Sequence, residues 1–308
     1  MELMPSLSRS SGLERDGNSL RDYKVQEEYR EFIQEKLDSY WRRFPPNAQN
    51  RDAKQREEVE ANLLILFRKL REGLLATNRT DKFALEVYEI SFHLALIFKS
   101  APQATSVISH LLPKVYLSFA EMPTNGPTSA LLSCLHFLVT AYPSQSRYLE
   151  HRNILGSKFI SMQSPPGVWL DKLTRCLRQR NYSQLEVLTG RDRLTDLLPA
   201  QQGREHHLPL QALCVVIESL RIKARNTTWH VLRSAYRELH LPVDPGSGPG
   251  SSMWLCRSLA LRPLVASETR NGDGFDEMKT WLSERHAAGD VRPKEGTEDR
   301  WIVTKVSA

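Results

Sequence analysis

From Asp22 to about residue 241, apolar side chains recur at the three- and four-residue spacing of a helix, and no stretch sustains the alternation of a strand. Residues 22–43 place Tyr29, Phe32, Ile33, Leu37, Tyr40 and Trp41 on one face, until Phe44-Pro45-Pro46 stops the run. Residues 53–77 do the same with Val59, Leu63, Leu66, Phe67, Leu70 and Leu74. Residues 82–99 follow, with Phe83, Val87, Ile90, Leu94 and Phe98 inward and Asp81 as the N-cap. Pro102 opens a fourth helix that Pro113 should kink or shorten. A fifth covers 127–142, and helix-length segments parted by short polar turns continue to residue 241, nine or ten helices in all. Short connections make neighbouring helices antiparallel. The expected body, residues 21–241, is a right-handed stack of helical hairpins, TPR-like, rather than a compact four-helix bundle.

Two segments break the pattern. Residues 1–20 are Ser-rich and without period, and read as a disordered tail. The run "PVDPGSGPGSSM" reads as a linker over 242–252. The module after it, 253–308, has a different texture. Helices are expected at 253–261 and 274–288, with Gly289 as the C-cap of the second. A strand led by Val291, a turn at Gly296 and a strand through Trp301-Ile302-Val303 complete it. Two helices followed by a hairpin are the usual ending of a winged helix. Trp254, Trp281 and Trp301 suit the centre of so small a module. The fold class expected is therefore mainly α, a helical-hairpin stack followed by a C-terminal winged helix.

Composition excludes more than it assigns. The chain has 308 residues, 40% of them hydrophobic and 25% charged, ordinary for a soluble globular protein. No apolar run approaches the roughly 20 residues of a spanning helix, and the N-terminus has no secretory apolar core. No membrane partner is expected. Cys134, Cys176, Cys214 and Cys256 stand far apart inside apolar helical patterns, which suits buried thiols in a reducing compartment rather than disulfides or zinc. There is no H-E-x-x-H, G-x-S-x-G, Walker loop or G-x-G-x-x-G. His206 and His207 are adjacent, so they do not face one ligand as an i,i+4 pair does. His93, His110 and His136 read as helix histidines. No catalytic residue, metal ligand or cofactor is expected, and the chain reads as no enzyme.

Charge is the positive signal. Residues 166–262 carry fourteen Lys and Arg against eight Asp and Glu, so all of the net +6 falls there. A basic segment in a neutral frame suits an acidic or polyanionic partner. Arg221, Lys223 and Arg225 fall at what reads as the end of a very apolar helix. They serve there either as complement to the negative helix terminus or as a partner-contacting edge. Arg292, Lys294, Arg300 and Lys305 flank the expected wing, where nucleic-acid backbone is a further class of partner. The helix before the wing, "FDEMKTWLSERHAA", mixes Asp276, Glu277 and Glu284 with Lys279 and Arg285, and would meet phosphates poorly.

One run carries a family resemblance. Cys176-Leu177-Arg178-Gln179-Arg180-Asn181-Tyr182-Ser183-Gln184-Leu185-Glu186-Val187-Leu188 resembles the "A-L-x-x-G-N-Y-x-x-F-F-x-L" helix of GANP-type PCI domains. Asn181 and Tyr182 match, Arg180 stands for the glycine, and Leu185 and Glu186 stand for the aromatic pair. Arg225, Trp229, Leu232 and Ala235-Tyr236 are similar to a later helix of that branch. The resemblance covers roughly residues 127–305. It implies a non-catalytic scaffold subunit linked to nuclear mRNA export or transcription, holding a small acidic protein and other PCI-type subunits, with RNA or DNA as a further class of partner. It also implies a nuclear location, with a cytoplasmic one open. Subunits of the proteasome lid, the signalosome and the translation-initiation scaffold are the alternatives within PCI. A direct RNA- or DNA-binding winged-helix protein is the alternative outside it.

Overall fold

The computed structural model describes residues 20–45, 52–198, 208–241, 251–264, 275–297 and 299–305. It is mainly helical, with twelve α-helices and one three-stranded sheet among those residues. The described residues of Met1–His136 and Glu205–Ala212 form one compact unit, and those of Phe137–Arg204 and Leu213–Ala308 another.

The first unit is built from α1 (Tyr23–Arg43), α2 (Ala53–Ala76), α3 (Lys82–Ile97) and α4 (Ala101–His110), with the start of α5 (Gly126–Ala141). Consecutive helices pack on one another, as short connections require. Asp22 caps α1, its carboxylate accepting from Lys24 N at 2.7 Å, and Asp81 caps α3, accepting from Ala84 N at 2.9 Å. Tyr29, Ile33, Phe67, Leu70, Val87 and Phe92 lie at the centre. Because α3 is buried on nearly every side, its polar residues need partners. Glu89 accepts from Tyr116 Oη at 2.6 Å and Asn125 Nδ2 at 2.9 Å. Burial still holds its carboxyl above the usual range.

The expected kink falls where proline chemistry puts it. α4 ends at His110, a π-helical turn spans Leu111–Val115, and Leu112, just before Pro113, is extended at φ −118°, ψ 116°. The expected tail is shorter than 1–20. Leu20 is buried, its carbonyl accepts from Gln26 Nε2 at 2.9 Å, and a Cβ on Gly73 would stand 2.8 Å from that oxygen. The rest of the expected tail, residues 1–19, lies outside the described residues.

The second unit contains α6 (Ser146–Phe159), α7 (Pro165–Arg178), α8 (Tyr182–Leu188), the short α9 (Arg191–Thr195), most of α10 (Leu208–Ala235), α11 (Ser251–Ser258) and α12 (Phe275–Ala287). Its sheet joins β1 (Glu238–His240), β2 (Val291–Pro293) and β3 (Arg300–Val303), all pairs antiparallel, in the order β1-β3-β2. Leu239 pairs with Trp301, and Val291 with Val303. β1 corrects the expectation of an all-helical chain up to 241. Three residues are too few to show a two-residue period, and their pairing partner is some sixty residues away. Residues 242–250 of the expected linker lie outside the described residues, while Ser251 and Ser252 belong to α11. One core binds the two sides of that segment together. Trp229 and Leu232 of α10 and Leu239 of β1 pack with Leu255, Met278, Trp281, Val291 and Val303. Trp229 and Trp281 meet edge to face, centroids 4.7 Å apart.

Candidate functional site

The corner between α7 and α8 shows why the family-like run has its form. Arg180 N donates to Leu177 O at 3.2 Å and Asn181 N to Cys176 O at 3.0 Å, with Arg180 at φ +54°. This is a Schellman ending, and Arg180 stands at its left-handed position, where glycine is favoured. Asn181 then caps α8, its Oδ1 accepting from Gln184 N at 3.2 Å. Tyr182 is buried, and burial pushes its phenol up to about 12. Asn181 and Tyr182 are thus architectural. Trp229 is as well, buried with its indole N–H on Asp290 at 3.0 Å. Tyr236 is not. It is exposed, edge to face with Trp254 at 5.6 Å, and Trp254 is exposed too, against the expectation that it fills the core.

The basic trio of α10 divides. Arg221 stands in the middle of a 28-residue helix rather than at its end. Its side chain is only 2% exposed, so it is not a free edge for a partner. It pairs with Glu218 at 3.3 Å, and burial lowers its affinity for the proton, with Glu218 opposing. Arg225 reaches the end of α11, donating to Leu259 O and Ala260 O at 2.8 Å each. It complements a helix C-terminus, though of another helix than its own. Lys223 is exposed, with Nζ donating to Val139 O at 2.6 Å.

The cations around the β2–β3 loop also divide. Lys294 and Arg300 converge on Glu238 of β1, at 3.0 and 2.9 Å. Their hydrogen bonds, Lys294's first, hold that carboxyl below the usual range. Arg292 and Lys305 are exposed.

Sequence reading did not assemble one strongly charged cavity of the second unit. About 410 Å³ in volume, it is lined by Glu186 of α8, Arg191 of α9, Arg221 of α10, Arg257 of α11 and Arg262 just beyond α11. Four guanidiniums face one carboxylate. Arg262 Nε lies 3.6 Å from Glu186 Oε1. Arg191 and Arg257 are exposed and make no ion pair among the described residues. Glu186 occupies the place of an aromatic in the family-like run, and here it is buried at the floor of an arginine cluster. The sequence flagged Arg221 and the basic excess of residues 166–262 but could not bring these residues together, since the arginines are spread over some seventy residues.

Nucleophile chemistry has no support in the thiols. All four cysteines are buried. Burial raises Cys176 to about 11 and pushes Cys214 and Cys256 up as well, so they stay protonated. Among the described residues no three His, Cys, Asp or Glu side chains cluster to hold a metal; His206 and His207 lie outside them. No helix among them is long and apolar enough to cross a membrane. No family model matches the chain, and no curated protein does.

Proposed function

We propose that this chain is a non-catalytic scaffold subunit of a PCI-type complex, linked to nuclear mRNA export and transcription, that holds a small acidic protein. The observation that carries the proposal is the connectivity of the second unit. The end of α10 is followed by β1, α11, α12, β2 and β3, with strand order β1-β3-β2. Helix, strand, two helices and two strands in that sheet order are what a winged helix has, and a winged helix after helical hairpins is what ends a PCI domain. The α7–α8 corner adds support, since Asn181 and Tyr182 have structural tasks that explain their presence in the family-like run. The right-handed stacking of the hairpins belongs to the same proposal, as does the nuclear location. Subunits of the lid, signalosome or translation-initiation type are the neighbouring readings.

Direct nucleic-acid binding is the weaker reading. Two of the four wing cations are engaged by Glu238, and α12 opens with Asp276 and Glu277. The basic excess of residues 166–262 suits an acidic protein.

The test is co-expression with the small acidic subunit of lid and export complexes, followed by a sizing column. One-to-one co-elution, weakened by Arg292→Glu with Lys305→Glu, is the expected result. Separate elution at micromolar concentration would sink the acidic-partner reading.

A further inference from the structure

The arginine cavity has no task in that reading. Arg221 is almost wholly buried, Glu218 is its one ion-pair partner among the described residues, and its Nε has no hydrogen-bond partner among them. A desolvated guanidinium is costly unless its charge and donors are met. Glu186 Oε1 is likewise buried without a hydrogen bond, 3.6 Å from Arg262 Nε. Arg191 and Arg257 stand at the rim with no ion pair of their own among the described residues. The cavity therefore holds a surplus of positive charge at several depths, with an unmet donor on its most buried member.

We propose that this cavity binds a terminal phosphoryl group, a phosphate monoester, between Arg221, Arg257, Arg191 and Arg262. Four features select that chemistry. Every cation is an arginine, whose planar fork matches phosphate oxygens two at a time. Glu186 and Glu218, the second paired with Arg221, leave the four arginines a surplus of two charges, which suits a group carrying about −1.5 to −2 at neutral pH better than a single carboxylate. The depth of Arg221 suits an anion at the end of a ligand, not a phosphodiester flanked on both sides. The unmet acceptor of Glu186 gives the ligand a place for one hydroxyl or N–H donor beside its phosphoryl group. The donor could be a phosphorylated side chain of a partner protein or a free phosphate monoester; both present the same group.

The experiment uses the full chain. Inorganic phosphate is titrated against chloride at matched ionic strength, read by ³¹P line width and by the rise in Tm. A peptide with one phosphoserine and its glutamate counterpart are titrated beside it. Phosphate should bind specifically. Arg257→Ala and Arg191→Ala, both at exposed positions, should each weaken it about tenfold. Arg221→Met should abolish it. If that variant fails to fold, the two rim variants still decide. A phosphopeptide at least tenfold tighter than phosphate identifies the source as a partner's side chain, and equal or weaker binding identifies a free monoester. Three results overturn the proposal: a response equal to that of chloride, a response unchanged in both rim variants, or a glutamate peptide that binds as well as the phosphorylated one. Displacement of phosphate by single-stranded RNA at lower concentration than by phosphopeptide would also overturn it, in favour of a nucleic-acid contact. Co-elution with the acidic subunit is read separately, so failure here leaves that reading standing.

Discussion

The indole N–H of Trp229 donates to Asp290 Oδ2 at 3.0 Å, across 61 residues of chain. Gly289, at φ +75°, makes this contact possible. Its left-handed turn ends α12 and places the next residue against α10. Arg233 joins the same carboxylate at 2.6 Å and Arg285 at 3.5 Å. Asp290→Ala should therefore leave the indole without its acceptor and two cations without their carboxylate, and cost about 2–4 kcal/mol in urea denaturation. Asp290→Asn keeps an oxygen for the indole and should lose roughly half of that. Equal losses in the two variants would mean that charge alone matters and the indole bond does not.

His136 makes the first unit sensitive to acid. Its imidazole is buried on α5, with Nε2 2.9 Å from Thr105 Oγ1, and burial lowers its pKa to about 4. The unfolded chain takes up the proton near the ordinary value of 6.5. Between those values the unfolded state binds more protons, so stability is complete above pH 6.5 and is lost as pH falls towards 4. The loss should be about 3 kcal/mol. His136→Gln should flatten that stretch of the profile, measured as denaturation midpoints from pH 7 to 4. A variant profile parallel to the native one would remove His136 as the cause.

Helix content was legible because the apolar spacing that forms a helix is also what the eye can count. The faces read for α1, α2 and α3 contain Ile33, Leu37, Leu63, Phe67, Val87 and Leu94, all buried. Helix ends were less legible. Schellman turns place Asn78, Lys99, Arg180 and Ala260 at positive φ, and of the five such ends among the described residues only that at Gly289 has the glycine that signals one. β1 was invisible because its pairing energy comes from β3, far along the chain. Of the candidate site, Lys294 and Arg300 could be flagged as cations, but Glu238, which engages both, comes from the far side of the linker. The arginine cavity is wholly tertiary. Its five charged residues are contributed by five segments, and no periodicity in the sequence joins them.

The left-handed residue at the α7–α8 corner offers a gain in stability. An L side chain at φ +54° costs about 1–2 kcal/mol in the left-handed region, and glycine avoids that cost while adding unfolded-state freedom. Arg180 is exposed and makes no ion pair among the described residues. Arg180→Gly should therefore raise stability by up to about 1 kcal/mol. Arg180→Val, branched at Cβ, should lower it. The measurement is the urea midpoint of each variant, and a destabilised glycine variant would mean that the arginine side chain holds a contact of its own.

Glu238 decides how the β2–β3 loop meets polyanions. It stands on β1 opposite Ile302, with Lys294 at 3.0 Å and Arg300 at 2.9 Å on its two carboxylate oxygens. While it is there, it offsets one of their two charges and engages a donor of each, and the wild-type chain should bind single-stranded RNA weakly with a shallow salt dependence. Glu238→Gln keeps the strand and its shape but removes the counter-charge. Each cation freed for a phosphate steepens the plot of log affinity against log salt by about 0.7. The variant should therefore gain up to about 1.4 in slope, with tighter binding at low salt. Adding Lys294→Gln and Arg300→Gln to that variant should return the slope to the wild-type value. An unchanged slope in Glu238→Gln would show that these two cations do not face nucleic acid even when released, and would leave the loop to protein partners.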